Sequence, residues 1–120
     1  MKPHLTPAEA ARLIIQAVNA RDAALYASAF AQNALIQIYG GPVRIAGRQA
    51  IEENRRRHFG LHPEVHAEIR HLVEIGNLAI MHDQVRLTRD GHPSDVVEIF
   101  TCDEDGLIAK VDVVQQSAAA

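Results

Sequence analysis

The sequence predicts an α+β fold in which helices come first and a strongly curved antiparallel sheet follows. Three observations predict it. Apolar residues recur at helical spacing up to about Ala31, and after Asn33 the period changes to that of strands. The pairs Gly76-Asn77, Asp90-Gly91 and Asp105-Gly106 then divide the second half into long strands joined by tight turns. Helices followed by a meander of strands belong to α+β architecture, not to a doubly wound sheet.

Thr6-Pro7-Ala8-Glu9 is a helix start. Thr6 accepts from first-turn amides, Pro7 suits the first helical position and Glu9 completes a capping box. The helix runs to about Ala20, with Ala10, Leu13, Ile14, Ala17 and Val18 as its apolar stripe. Asp22 caps a second helix over Ala23 to Ala31, with Leu25, Tyr26, Ala29 and Phe30 on the buried side. Leu35 to Tyr39 and Val43 to Ile45 form a hairpin around Gly40-Gly41-Pro42. A third helix, Gly47 to Phe59, ends at Gly60 because Pro63 forbids continuation.

Four strands follow: Glu64 to Ile75, Leu78 to Thr88, Ser94 to Cys102 and Leu107 to Gln115. In the first, Val65, Ala67, Ile69, His71, Val73 and Ile75 share one side, opposite His66, Glu68, Arg70 and Glu74. In the second, Leu78 and Ile80 are out of phase with Val85 and Leu87, which predicts a bulge near His82-Asp83.

The 120 residues match one domain over residues 1–120, with Ser117 to Ala120 expected to fray. A net charge of −3 and a pI near 6.1 argue against nucleic acid as a partner. No stretch approaches the roughly 20 apolar residues that span a bilayer, and no signal peptide is apparent. Cys102 is the sole cysteine, so neither a disulfide nor a thiolate zinc cluster can form within the chain, and a cytoplasmic location is expected. His58, His62 and His66 are spaced by four, but Gly60 and Pro63 break the helix that would align them, so no metal is expected.

Ala17-Val18-Asn19-Ala20-Arg21-Asp22, Phe30-Ala31-Gln32-Asn33-Ala34, Ile45-Ala46-Gly47-Arg48-Gln49-Ala50-Ile51 and Val97-Glu98-Ile99-Phe100 before Asp103-Glu104-Asp105-Gly106 occur in this order. Together with the element order they resemble the nuclear transport factor 2-like superfamily, specifically its SnoaL-like polyketide cyclase and ketosteroid isomerase branch, over about residues 7 to 116. The resemblance implies a cone-shaped fold, a ligand cavity without a cofactor, and a homodimer. Ile14 and Ile38 stand where the isomerases carry a tyrosine and an aspartate, which disfavours that mechanism, whereas Glu98 stands at an oxyanion-hole acid. His82, Asp83 and Asp112 lie near positions where SnoaL-like proteins carry a histidine or acids.

Glu98 interrupts the apolar run Val96-Val97-Glu98-Ile99-Phe100. It is either a desolvated acid that exchanges protons near neutrality or a solvent-face residue paired with Arg48 or Arg86. His82 or Asp83 is its candidate partner, only one of the two facing a ligand, and Tyr39 a candidate hydroxyl donor. Tyr26, Asn54, His58 and Asp112 are further candidates, Asp112 lying either in the cone or on the outer sheet face. Ile14, Val18, Ile38, Phe59, Met81, Val85, Phe100, Val111 and Val113 are expected to line the cavity. Arg55 to Arg57 read as a solvated face or as a mouth that attracts an anion. Three functions follow: cofactor-free acid–base proton transfer on an apolar carbonyl compound, a binding module for a hydrophobic metabolite, or epoxide hydrolysis if two carboxylates converge. Self-association is expected through the outer sheet face around His66, Glu68 and Arg70.

Overall fold

In the computed structural model, which describes residues 4–115, helix α1 spans Pro7–Ala20 and begins with the reciprocal cap that its first residues encode. The Thr6 hydroxyl accepts from the Glu9 N–H at 3.1 Å, and the Glu9 carboxylate accepts from the Thr6 N–H at 2.8 Å. One face of α1, from Ala10 and Ala11 through Ile14, Ile15 and Ala17, is buried. Arg21 ends the helix in the left-handed region at φ 51°.

Helix α2 spans Ala23–Ser28, capped by the Asp22 carboxylate, which accepts from the Leu25 N–H at 2.9 Å. It is shorter than the predicted Ala23 to Ala31. The Ala29 carbonyl accepts from the Ile108 N–H at 2.8 Å, which draws the chain into the sheet, so strand β1 starts at Phe30 and runs to Ile38. A pairing partner nearly eighty residues away therefore overrides local helix propensity. Strand β2, Val43–Ala46, completes the hairpin. Helix α3, Arg48–Leu61, passes through Gly60 and stops two residues before Pro63.

Strands β3 (His66–Ile75), β4 (Leu78–Arg86), β5 (Ser94–Cys102) and β6 (Ile108–Gln115) follow, and the sheet order is β2-β1-β6-β5-β4-β3. Only β1 and β6 run parallel. The helices pack on one face of the curved sheet, α1 over β3, β4 and β5 and α3 over β1 and β2. Phe30, Ile14, Ile51, Met81, Phe100 and Ile108 fill the core between the layers. Among the described residues no helix is long and apolar enough to cross a membrane. The tail predicted over Ser117 to Ala120 lies outside the described residues.

The bulge lies on β3, between Ile69 and His71, and not on β4. Strand β4 keeps strict alternation: Ala79, Met81, Asp83 and Val85 face the helices, while Leu78, Ile80, His82 and Gln84 face outward. The apparent phase change in its sequence arises because the inner position 79 is a small alanine. Arg70 is the extra residue on β3, and past it the phase reverses. His71, Val73 and Ile75 consequently share the outer face with His66 and Glu68 instead of lying with Val65 and Ala67.

Strand β3 is a sheet edge, and its unpaired backbone groups need partners. Asn19 supplies them for Ala67: its amide nitrogen donates to the Ala67 carbonyl at 2.9 Å and its amide oxygen accepts from the Ala67 N–H at 2.8 Å. Replacing Asn19 by Ala leaves both groups of Ala67 unsatisfied under α1. It should destabilise the fold by roughly 1–3 kcal/mol, read as a lower urea midpoint; an unchanged midpoint would show that solvent reaches this edge.

Candidate functional site

Alternation on β4 and β5 decides what faces the helices. Asp83 of β4 and Glu98 of β5 both take inner positions, and since Asp83 pairs with Val96 and Met81 with Glu98, the two acids are diagonal neighbours. Their carboxyl groups share a hydrogen bond. They line a cavity of about 510 Å³ closed by α1, α2 and α3. Its apolar wall is built from Ile14, Ile15 and Val18 of α1, Val65, Val85 and Val96, Ile36 and Ile38 of β1, and Val111 and Val113 of β6.

Asp83 is 2% exposed. Glu98 retains partial exposure, and that surface lies on the cavity. Burial pushes the Glu98 carboxyl up to about 8, reinforced by the negative charge of Asp83 and by the hydrogen bond between them, while the Arg55 guanidinium opposes the rise. Burial also raises Asp83, against the hydrogen bond from Glu98. Near neutrality the two carboxyls therefore resist ionising together.

Above the acids stand Tyr26 of α2 and Asn54, Arg55 and His58 of α3. Tyr26 stacks on Phe30 with centroids 5.4 Å apart, and the Arg55 guanidinium carbon lies 5.1 Å from the centre of its ring. Burial pushes the Tyr26 phenol up to about 12, so it remains a hydrogen-bond donor. Burial lowers His58 to about 4, aided by Arg55 and His62, so its imidazole is neutral. Three buried polar atoms among these groups have no hydrogen-bond partner: Arg55 Nε, His58 Nδ1 and Asp83 Oδ1.

Several predicted site residues lie elsewhere. His82 faces outward, as the neighbour of an inward Asp83 must; its Nε2 is 2.8 Å from Asp95 Oδ1 and its Nδ1 is 3.1 Å from His71 Nδ1. Hydrogen bonds from His82 and Gln84 hold the Asp95 carboxyl below its usual range. Tyr39 is 63% exposed beyond the end of β1, outside the cavity. Asp112 is on the outer face, held by the Gln37 amide at 2.6 Å and by Lys110 at 3.5 Å. Met81 and Phe100 belong to the sealed core beneath α1, and Phe59 is buried on the far side of α3, so none of these three lines the cavity. The proposed pairings of Glu98 with Arg48 or Arg86 do not occur, since Arg48 instead donates to the Ala27 carbonyl at 3.3 Å and Arg86 lies exposed on the outer face. Among the described residues no three His, Cys, Asp or Glu side chains converge to hold a metal ion.

Arg55 is the cavity residue that the sequence disguises. It reads as part of a basic run, yet Ile51, Asn54, Arg55 and His58 fall at helical spacing i, i+3, i+4 and i+7, and Ile51 is fully buried. Only Arg55 of the three arginines turns inward; Arg56 pairs with Glu52 at 2.6 Å on the surface.

A family model described as a SnoaL-like domain matches residues 11–111. The chain belongs to the SnoaL-like domain family. Solved structures agree with this fold. An uncharacterized cystatin-fold protein from Novosphingobium aromaticivorans is 26% identical with a TM-score of 0.84, covering 92% of this chain and 99% of that one. A protein provisionally named polyketide cyclase from Sinorhizobium meliloti is 21% identical with a TM-score of 0.72, covering 88% and 93%. One provisionally named ketosteroid isomerase from Kribbella flavida is 17% identical with a TM-score of 0.76, covering 93% and 78%. No curated protein matches the chain.

The acid pair makes the stability of this SnoaL-like domain depend on pH. A carboxyl whose pKa is higher folded than unfolded favours the folded state while it is protonated, and this contribution fades as pH rises toward the folded value. Unfolded His58 is half protonated at pH 6.5 and loses that charge over roughly the next pH unit, a smaller effect of opposite sign, so from pH 6.5 to about pH 8 the acids dominate the slope. The wild type should lose on the order of 1 kcal/mol across that interval. Glu98→Gln should flatten the slope in urea titrations repeated at each pH; an identical slope in both proteins would mean that Glu98 titrates normally.

Proposed function

We propose that this SnoaL-like domain is a cofactor-free enzyme of the isomerase or cyclase type, moving protons on an apolar carbonyl compound. The buried Asp83–Glu98 pair is the observation that carries the reading. Two carboxyls in one apolar cavity, forced apart in protonation state, supply a base and an acid at the same pH. Asp83, ionised, takes a proton from the carbon beside the carbonyl, and the C–H electron pair moves into the enolate. Glu98, protonated, donates a hydrogen bond to the carbonyl oxygen as negative charge builds there. Asp83 then returns the proton to the same or a conjugated carbon. Tyr26 is a further donor within the cavity.

Hydrogen–deuterium exchange beside the carbonyl of cyclic ketones and enones in D2O, followed by NMR, tests the proposal. Wild type should exchange protons well above the buffer rate, and Asp83→Asn should lower the rate by about 10²- to 10⁴-fold, with Glu98→Gln less affected. Exchange at the buffer rate with a ligand bound would make the chain a binding module for a hydrophobic metabolite.

Epoxide hydrolysis is the second reading, favoured by one specific observation: Asp83 and Glu98 share a face with Arg55 nearby. There Asp83 would take a proton from water, the water oxygen would bond to an epoxide carbon, and Glu98 would protonate the departing oxygen. Solvent ¹⁸O in a diol product distinguishes it from enolisation.

The outer sheet face supports self-association. Val73, Ile75 and Val114 are exposed beside the charged row His66, Glu68 and Arg70. We expect a homodimer by light scattering at micromolar concentration, and Val73→Lys with Ile75→Lys should shift it to monomer; a wild type that is already monomeric would overturn this part of the proposal. A cytoplasmic location is supported by Cys102, a lone buried thiol whose pKa burial raises, as suits a reduced core cysteine.

A further inference from the structure

The polar groups of the cavity are unequally matched. Arg55 forms no ion pair among the described residues, and its Nε is buried without a hydrogen-bond partner. A guanidinium so placed is costly to desolvate unless a counter-charge joins it. His58, one helical turn further along α3, presents a second buried nitrogen without a partner to the same cavity. Arg44, exposed on β2, adds another cation at the rim.

Against these stand only two acids, Asp83 and Glu98, and they bond to each other. A hydrogen-bonded carboxyl pair holds one proton between its members and hence one negative charge. Two arginines, one shared negative charge and a neutral imidazole leave the cavity one positive charge in excess. The wall that surrounds these groups is aliphatic.

We propose that the ligand of this cavity is an apolar monoanion, an organic acid whose carboxylate is held by Arg55 and His58 while its hydrocarbon body lies against the aliphatic wall. Arg55 donates from Nε and a terminal nitrogen in the two-point geometry that suits a carboxylate, and His58 donates from Nδ1. Tyr26, with its ring against the guanidinium, holds Arg55 in position. Asp83 and Glu98 then face a different part of the same molecule, so the substrate class becomes an oxo acid, with its carboxylate at α3 and its carbonyl at the sheet. The inference rests on the cavity being a ligand site, as proposed above.

Isothermal titration at pH 7 and low salt tests it with matched probes: 4-phenylbutanoate, 5-phenylpentanoate and cyclohexylbutanoate, each against its primary amide. The acids should bind at least about tenfold more tightly than the amides, a gap of about 1.4 kcal/mol. Arg55→Gln should erase the gap, Arg55→Lys should keep part of it, and Arg56→Gln, on the surface, should leave it intact. If Arg55→Gln does not fold, the acid–amide gap in wild type and its reduction in Arg55→Lys decide the matter. Amides that bind as well as the acids, or a gap that Arg55→Lys and Arg55→Gln leave whole, would overturn the anion proposal while leaving the cavity a ligand site. No binding by any probe would overturn both.

Discussion

Helices cover only one face of this sheet, and that restriction governs nearly everything else in the molecule. Along β4 and β5, side chains facing the helices alternate one by one with side chains facing outward. An aspartate at position 83 and a glutamate at position 98 fall in the inward set, so their carboxyls resist ionising together. His82, one residue away, falls in the outward set and makes an ordinary surface contact with Asp95. No property of the side chains themselves separates these outcomes.

The covering helices do more than exclude water. Helix α3 turns a single arginine of a three-arginine run inward, and α2 sets a tyrosine ring against it. The acids on the floor of the cavity therefore come from strands, and the guanidinium and imidazole on its roof come from a helix. The division lets the strands fix the acids rigidly while α3 presents longer side chains that can adjust to what lies below them.

Much of the fold was legible because local chemistry and tertiary structure agree. The Thr6–Glu9 cap and the Asp22 cap mark helix starts, and the glycines at 76 and 106 adopt the positive φ that their hairpins require. The errors occur where distant contacts decide. Phe30 reads as the buried side of a helix, yet pairing with Ile108 makes it a strand residue. The inward alanine at position 79 hides the true phase of β4, so the sequence points to a bulge on β4 where the structure has it on β3. Glu98 stood out as an acid in an apolar run. Its nearness to Asp83 depended on the register of two strands, which no local pattern encodes, and the inward turn of Arg55 was masked by its charged neighbours.

The extra residue at Arg70 separates two halves of one strand. Before it, the odd-numbered Val65 and Ala67 face the cavity; after it, the odd-numbered His71, Val73 and Ile75 face the exterior, and Leu72 and Glu74 take the inner side. Because the phase is reset between them, the residues that take the inner side change from odd to even numbers along one strand. A single backbone irregularity thereby lets one strand contribute apolar side chains to the cavity wall and to the exposed outer face, where unbroken alternation would have turned Val73 and Ile75 beneath the helices.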